Sequence, residues 1–81
     1  MHKFYFVYVR ISFMENNFAK NLLKLRIERQ IGQIELSEAI QVSQGTISFW
    51  EHQVKEPTLT SLLAVADYFQ VTLDELVVSD Y

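Results

Sequence analysis

Residues 32 to 57, GQIELSEAIQVSQGTISFWEHQVKEP, constrain the fold more tightly than any other stretch of this chain. They spell a short helix, a tight turn and a second short helix, closed by Pro57. Leu36, Ala39 and Ile40 form an i, i+3, i+4 apolar stripe on the first of these helices. Ile47 and Trp50 repeat the spacing on the second, with Trp50 expected in the core. Gln41, Val42 and Ser43 lie between. Val42 is predicted to plug the hollow between the helices. Ser43 can cap the second helix by accepting a hydrogen bond from a free backbone N–H. Ala39 is expected where the two helices cross closely, because a longer side chain there would push them apart.

Three more helices are predicted around this pair. Asn17 is read as the cap of a helix from about Phe18 to Gln30, with Phe18, Leu22, Leu25 and Arg26 facing the body. After Pro57, Thr58 or Thr60 caps a fourth helix to about Phe69, with Leu59, Leu62, Leu63, Ala66 and Phe69 inward. Thr72 caps a short fifth helix through Leu73, Leu76 and Val77. The expectation is an all-α, compact five-helix bundle with short loops and no internal repeat. At 81 residues it is one domain, and a chain this short buries only about 60 to 65% of its unfolded surface, so its stability margin is small.

Residues 1–15 differ in kind and are read as an N-terminal extended segment, with the domain proper at 16–81. KFYFVYVRISF is dense in aromatic and β-branched residues, which favours a strand; alone it would present a sticky edge. Leu23 and Ile27 form an apolar pair about a quarter-turn from the core stripe of the first helix. The segment is expected to cover that pair or to pair with the same strand of another subunit. The alternative is an extension added by an upstream start codon, since Met14 could itself begin a complete domain.

Composition removes several function classes. No cysteine is present, which excludes disulfides and thiolate metal sites. No run approaches the roughly 20 apolar residues of a membrane span, and MHKFYFVYVRISF makes a poor signal peptide; a soluble cytoplasmic protein is expected. His2 and His52 are too few and too isolated for a metal site. There is no cysteine nucleophile, no histidine beside a carboxylate in a recognisable motif and no glycine-rich phosphate loop, so neither an enzyme nor a cofactor nor a small-molecule ligand is expected. The net charge is −3, but it is unevenly spread. Residues 1–30 carry six basic and two acidic side chains, whereas residues 58–81 carry four acidic and no basic ones. Local field matters more than the total. Asp67, Asp74, Glu75 and Asp80 read as a solvated face, Asp74 and Glu75 being well placed near a helix N-terminus.

The second helix of the central pair carries groups suited to reading DNA in the major groove. Gln44 offers a donor and an acceptor, matching adenine N6 and N7. Thr46 and Ser48 can bond a base edge or a phosphate, and the Thr46 methyl can touch a thymine methyl. Gly45 would let the backbone approach closely. Phe49 is large for a solvated face and could pack on thymine methyls. The plainer reading is of small polar residues on an exposed helix, with Phe49 beside Trp50 at a protein interface.

From Leu22 to Leu76 the chain resembles the Cro/cI-type (lambda repressor-like) helix-turn-helix family of phage and bacterial repressors. The resemblance rests on LLKLR, QIELSEAIQVSQGTISFWE, the following proline and LLAVADYFQVTLDEL. It implies a five-helix bundle that binds operator DNA as a dimer with its third helix in the major groove. By position it implies that Gln33 bonds a phosphate, that Ser43, Gln44, Gly45, Thr46, Ser48 and Phe49 belong to the DNA-facing part of the motif, and that His52 and Lys55 meet the backbone. It also implies an internal salt bridge between Arg26 and Glu51. The chain departs from the family at Gln30, Gln41, Gln53 and Gln70, where glycine is frequent, and at Gly32, where a Ser or Thr cap is usual.

The expected function is therefore a sequence-specific double-stranded DNA-binding transcriptional regulator. The expected form is a repressor on a palindromic operator, working as a homodimer through helix 5 and the tail (Leu73, Val77, Val78, Tyr81), with the N-terminal strand as a further contact. With few cations near the motif, its affinity should depend only weakly on salt. The competing expectation is a protein-interaction module, such as an antirepressor or antitoxin, on the same scaffold. The net charge, Phe49 and the Leu23/Ile27 stripe favour that alternative.

Overall fold

The computed structural model describes residues 16–80 of the chain. The segment read as residues 1–15, its strand and Tyr81 lie outside the described residues, apart from their boundary at position 16.

Five helical elements follow one another: α1 (Phe18–Arg29), α2 (Gln33–Ile40), α3 (Gln44–Glu51), α4 (Leu59–Phe69) and α5 (Asp74–Val78). The architecture is the expected all-α bundle. Its core is built from Phe18, Leu22 and Leu25 of α1, Leu36 of α2, Ile47 and Trp50 of α3, Val65, Ala66 and Phe69 of α4, and Leu76 and Val77 of α5. Phe18 and Trp50 meet edge to face, with centroids 5.8 Å apart, a favoured geometry for aromatic pairs. Arg29 lays its guanidinium over the Phe69 ring at 5.7 Å. Val42 packs on the core from between α2 and α3.

Local signals set most boundaries. Ser43 Oγ accepts from Thr46 N at 3.0 Å, and Thr58 Oγ1 accepts from Ser61 N at 3.1 Å, so Thr58 rather than Thr60 caps α4. Thr72 and Glu75 cap each other's backbone N–H groups, at 2.8 and 2.9 Å, the reciprocal capping arrangement. Gln30, Gln41, Gln53 and Gln70 all adopt positive φ, between 57° and 62°. These are the four places where a left-handed residue is needed to end a helix or make a turn.

Four local expectations are corrected. Asn17 does not cap α1 with its side chain; Asn16 Oδ1 accepts from Phe18 N instead, at 2.8 Å, while the Asn17 amide donates to Val78 O at 2.9 Å. Ala39 is exposed, and the small buried residue of α2 is Ser37. At 3.6 residues per turn the buried arc of α2 centres between Ile40 and Ser37, leaving Ala39 outside it. On α4 the buried face turns toward Val65; Leu59 and Leu63 are 65% and 50% exposed. Finally, α5 is wound as a π-helix, with Ser79 N reaching back to Asp74 O at 2.9 Å. Its residues also depart from the expected contact surface: Val77 is buried, Leu73 is half-buried, and only Val78 stands clearly out.

Asn21 ties α5 to α1. It is fully buried within the Phe18, Leu22, Leu25 stripe. Its Nδ2 faces the carbonyls of Glu75, Leu76 and Ser79 at 3.3, 3.0 and 2.8 Å. Its Oδ1 has no hydrogen-bond partner among the described residues. Lys20 closes the same junction through an ion pair with Asp80. Leu23 and Ile27 remain exposed.

Candidate nucleic-acid interface

The turn between α2 and α3 fixes which side of α3 looks outward. Ser43 holds the first turn of α3 through Thr46 N, and its hydroxyl also bonds Thr46 Oγ1 at 2.8 Å. Ile47 and Trp50 are buried beneath. Helical periodicity then sends Gly45, Ser48, Phe49 and His52 to the opposite stripe, with Gln44 on one flank and Thr46 on the other. Gln44, Gly45, Phe49, His52 and Lys55 are exposed, and Thr46 and Ser48 are half-buried.

Each outward group has a defined state. Phe49 is 49% exposed, so it neither enters the core nor lies free of it. A Cβ added at Gly45 would meet only Ser43 Oγ, at 3.8 Å; packing within the domain does not require glycine there. His52 Nδ1 bonds the Ser48 carbonyl at 2.8 Å and stands 3.4 Å from its hydroxyl, so the imidazole is folded back along the helix end. The Thr46 hydroxyl is engaged in the cap, leaving its methyl as the freer contact.

Beneath this face runs a chain of side-chain bonds. Arg26 Nε and Nη2 donate to Glu51 Oε2 and Oε1 at 2.6 and 2.9 Å, a bidentate pair with only 12% and 5% of the side chains exposed. Arg26 Nη1 also donates to Ile31 O at 2.9 Å. The Glu51 carboxylate raises the pKa of Arg26 above its ordinary value, chiefly through the hydrogen bonds and against the opposing effect of burial. Gln33 Nε2 donates to Glu51 Oε1 at 2.9 Å, and Gln44 Nε2 donates to Gln33 Oε1 at 3.3 Å. The first helix, the start of α2 and the start of α3 are thereby joined by one polar line. Its Gln33–Gln44 link is not visible in sequence, because eleven residues separate two amides that only the turn brings together.

The family model for the helix-turn-helix matches residues 22–76, from the middle of α1 to the middle of α5. The chain belongs to this helix-turn-helix family. The family is not one of enzymes. The helix-turn-helix chain is 37% identical over 59 residues to an HTH-type transcriptional activator, BcrR, of Enterococcus faecalis, covering 73% of this chain and 29% of that protein. It therefore spans less than a third of this curated relative. Among solved structures it resembles a transcriptional regulator from Listeria innocua, with a TM-score of 0.73 and 28% identity, covering 82% of this chain and 64% of the other.

In this helix-turn-helix, α2 starts at Gln33, and Gly32 before it supplies no side-chain cap. An anion is favoured at a helix N-terminus, here beside Gln33. Residues 31–57 hold a single cation, Lys55, against four carboxylates, and Glu51 is neutralised by Arg26. Among the described residues no group of three His, Cys, Asp or Glu is arranged to hold a metal, and no helix is long and apolar enough to cross a membrane.

Proposed function

We propose that this chain binds double-stranded DNA sequence-specifically, with α3 in the major groove, and regulates transcription. The observation that carries this reading is the outward stripe of Gln44, Gly45, Ser48 and Phe49 on a helix whose other face is locked into the core. Gln44 reads an adenine edge, with its amide held by Gln33. Ser48 bonds a base or phosphate. Phe49 packs on thymine methyls, and Gly45 leaves room for the backbone to approach. The N-terminus of α2, with Gln33, takes a phosphate, and His52 and Lys55 meet the backbone at the far end.

The chain acts as a homodimer on a two-fold operator, with half-sites about 34 Å apart, in the cytoplasm. Val78, Leu59 and Leu63 supply exposed apolar surface for pairing, extended by the N-terminal segment. Repression follows from blocking polymerase; the activator name of the E. faecalis relative favours activation as the second outcome of the same binding.

Selection of bound sequences from a random duplex pool, followed by Gln44→Ala and Ser48→Ala, tests the reading. Ser48 is preferred to Thr46 because Thr46 also serves the α3 cap. Loss of binding with an unchanged melting temperature is expected. Failure to bind any duplex in dilute salt overturns the proposal. Retained DNA affinity with a lost protein partner would favour an antirepressor or antitoxin role, which the exposed Phe49 and the acidic surroundings support.

A further inference from the structure

His52 is the C-cap residue of α3, and it is exposed. Its ring turns back along the helix, with Nδ1 2.8 Å from the Ser48 carbonyl oxygen and 3.4 Å from the Ser48 hydroxyl. A carbonyl oxygen can only accept, so Nδ1 carries a proton. In the neutral ring this bond fixes the tautomer: Nδ1 donates, and Nε2 is left with a bare lone pair. Nε2 has no hydrogen-bond partner among the described residues. A lone pair repels a phosphate oxygen. Only the imidazolium, with an N–H at both nitrogens, can donate through Nε2 and keep its bond to Ser48.

We propose that His52 takes up a proton as it meets a DNA phosphate, so that affinity for DNA rises as pH falls. This rests on the DNA reading above and adds a regulation to it. Two further observations support it. A cation is favoured at the C-terminal end of a helix, where the ring sits against a last-turn carbonyl. The motif is also poor in cations: residues 31–57 hold Lys55 alone against four carboxylates, so one proton on His52 doubles their positive charge. The charged neighbours leave this role open. Glu51 is held by Arg26 of α1 and Gln33 of α2, and Lys55 and Glu56 are exposed in the loop that follows. His52 forms no ion pair among the described residues. The anion that pairs with the charged ring is therefore the phosphate itself.

The test titrates the full chain with a selected duplex at about pH 6 and about pH 8, the range over which an imidazole gains its proton, at one salt concentration. Binding is expected to be about fivefold tighter at the lower pH. The slope of log affinity against log salt should also steepen there by about 0.9 per subunit, one more phosphate being neutralised. Both differences should vanish in His52→Gln, which takes up no proton, and in His52→Arg, which should bind at the higher pH as tightly as the natural chain does at the lower. His2 is the other histidine; a pH effect that survives undiminished in both variants arises elsewhere and overturns the proposal. Equal affinity of the natural chain at both pH values overturns it and leaves the DNA reading standing. Nitrogen NMR of the free protein checks the tautomer without DNA: a neutral ring carrying its proton on Nε2 overturns the proposal, whatever the duplexes do. If no duplex binds at either pH, the DNA reading falls and this proposal falls with it.

Discussion

Gln44 Nε2 donates to Gln33 Oε1 at 3.3 Å, across the two helices of the motif, while Gln33 itself is held by Glu51. The side chain proposed to read a base is thus aimed by a neighbour that is anchored to the Arg26–Glu51 pair. Pre-organisation of this kind lowers the ordering cost of binding. Gln33→Ala should therefore weaken binding to a selected duplex about tenfold, or about 1.4 kcal/mol, with little change in thermal stability. Fluorescence anisotropy and calorimetry on the same sample check both halves.

The Arg26–Glu51 pair is nearly buried and bidentate. Removing one partner strands the other charge, which costs about 3 kcal/mol in such settings. Arg26→Met should lower the melting temperature by about 12 °C or more, and Arg26→Met with Glu51→Leu should recover part of that loss. Because the folded pKa of Arg26 is raised, its contribution is complete below the unfolded value and fades only as pH climbs through the folded one. Melting temperatures followed up to moderately alkaline pH should show no loss attributable to this group.

Gly45 has open space around it and ordinary helical backbone. Gly45→Ala should stabilise the domain by about 0.5–1 kcal/mol, as alanine does within a helix, while reducing DNA affinity through the added methyl. Opposite signs in denaturant melts and binding titrations are the expected signature. Unchanged affinity would remove Gly45 from the interface.

Four glutamines occupy left-handed backbone, which costs a residue with a Cβ about 1–2 kcal/mol. Gln30→Gly and Gln41→Gly should each raise stability, by somewhat less than that because glycine is freer when unfolded. Gln70→Gly should gain least, since its Nε2 bonds Asp67 O at 2.7 Å. Urea midpoints at constant m-value distinguish the three.

Asn21 presents N–H groups to three carbonyls of the last helix and its end. Asn21→Asp places carboxylate oxygens against those acceptors, so it should destabilise more than Asn21→Leu, which merely leaves them unpaired at about 1–3 kcal/mol. Hydrogen exchange should show early opening of residues 74–79 in both variants.

The residues themselves announced much of this. The four glutamines marked stops only through the family resemblance, where glycine is frequent at their positions; Ser43 and Thr72 read as caps because their hydroxyls precede apolar periodic runs. Local chemistry was enough there. It was not enough for rotation about a helix axis: Ala39 is more apolar than Ser37, and Leu63 no less apolar than Val65, yet neighbouring helices selected Ser37 and Val65 for the buried arc. Asn21 sits within the Phe18, Leu22, Leu25 stripe, and that position was the available signal for a buried polar tie. The site was legible as a set of outward residues, but not as a set connected through Gln33.

By itself the sequence determined that five helices form, where they begin, and which turn joins the central pair, because caps, left-handed stops and apolar spacing act within a few residues of one another. Only the tertiary structure decided that Arg26, Glu51, Gln33 and Gln44 form one line, and that α5 unwinds toward Asn21. Those bonds join residues far apart along the chain, and their geometry exists only once packing has set how each helix is turned against the next.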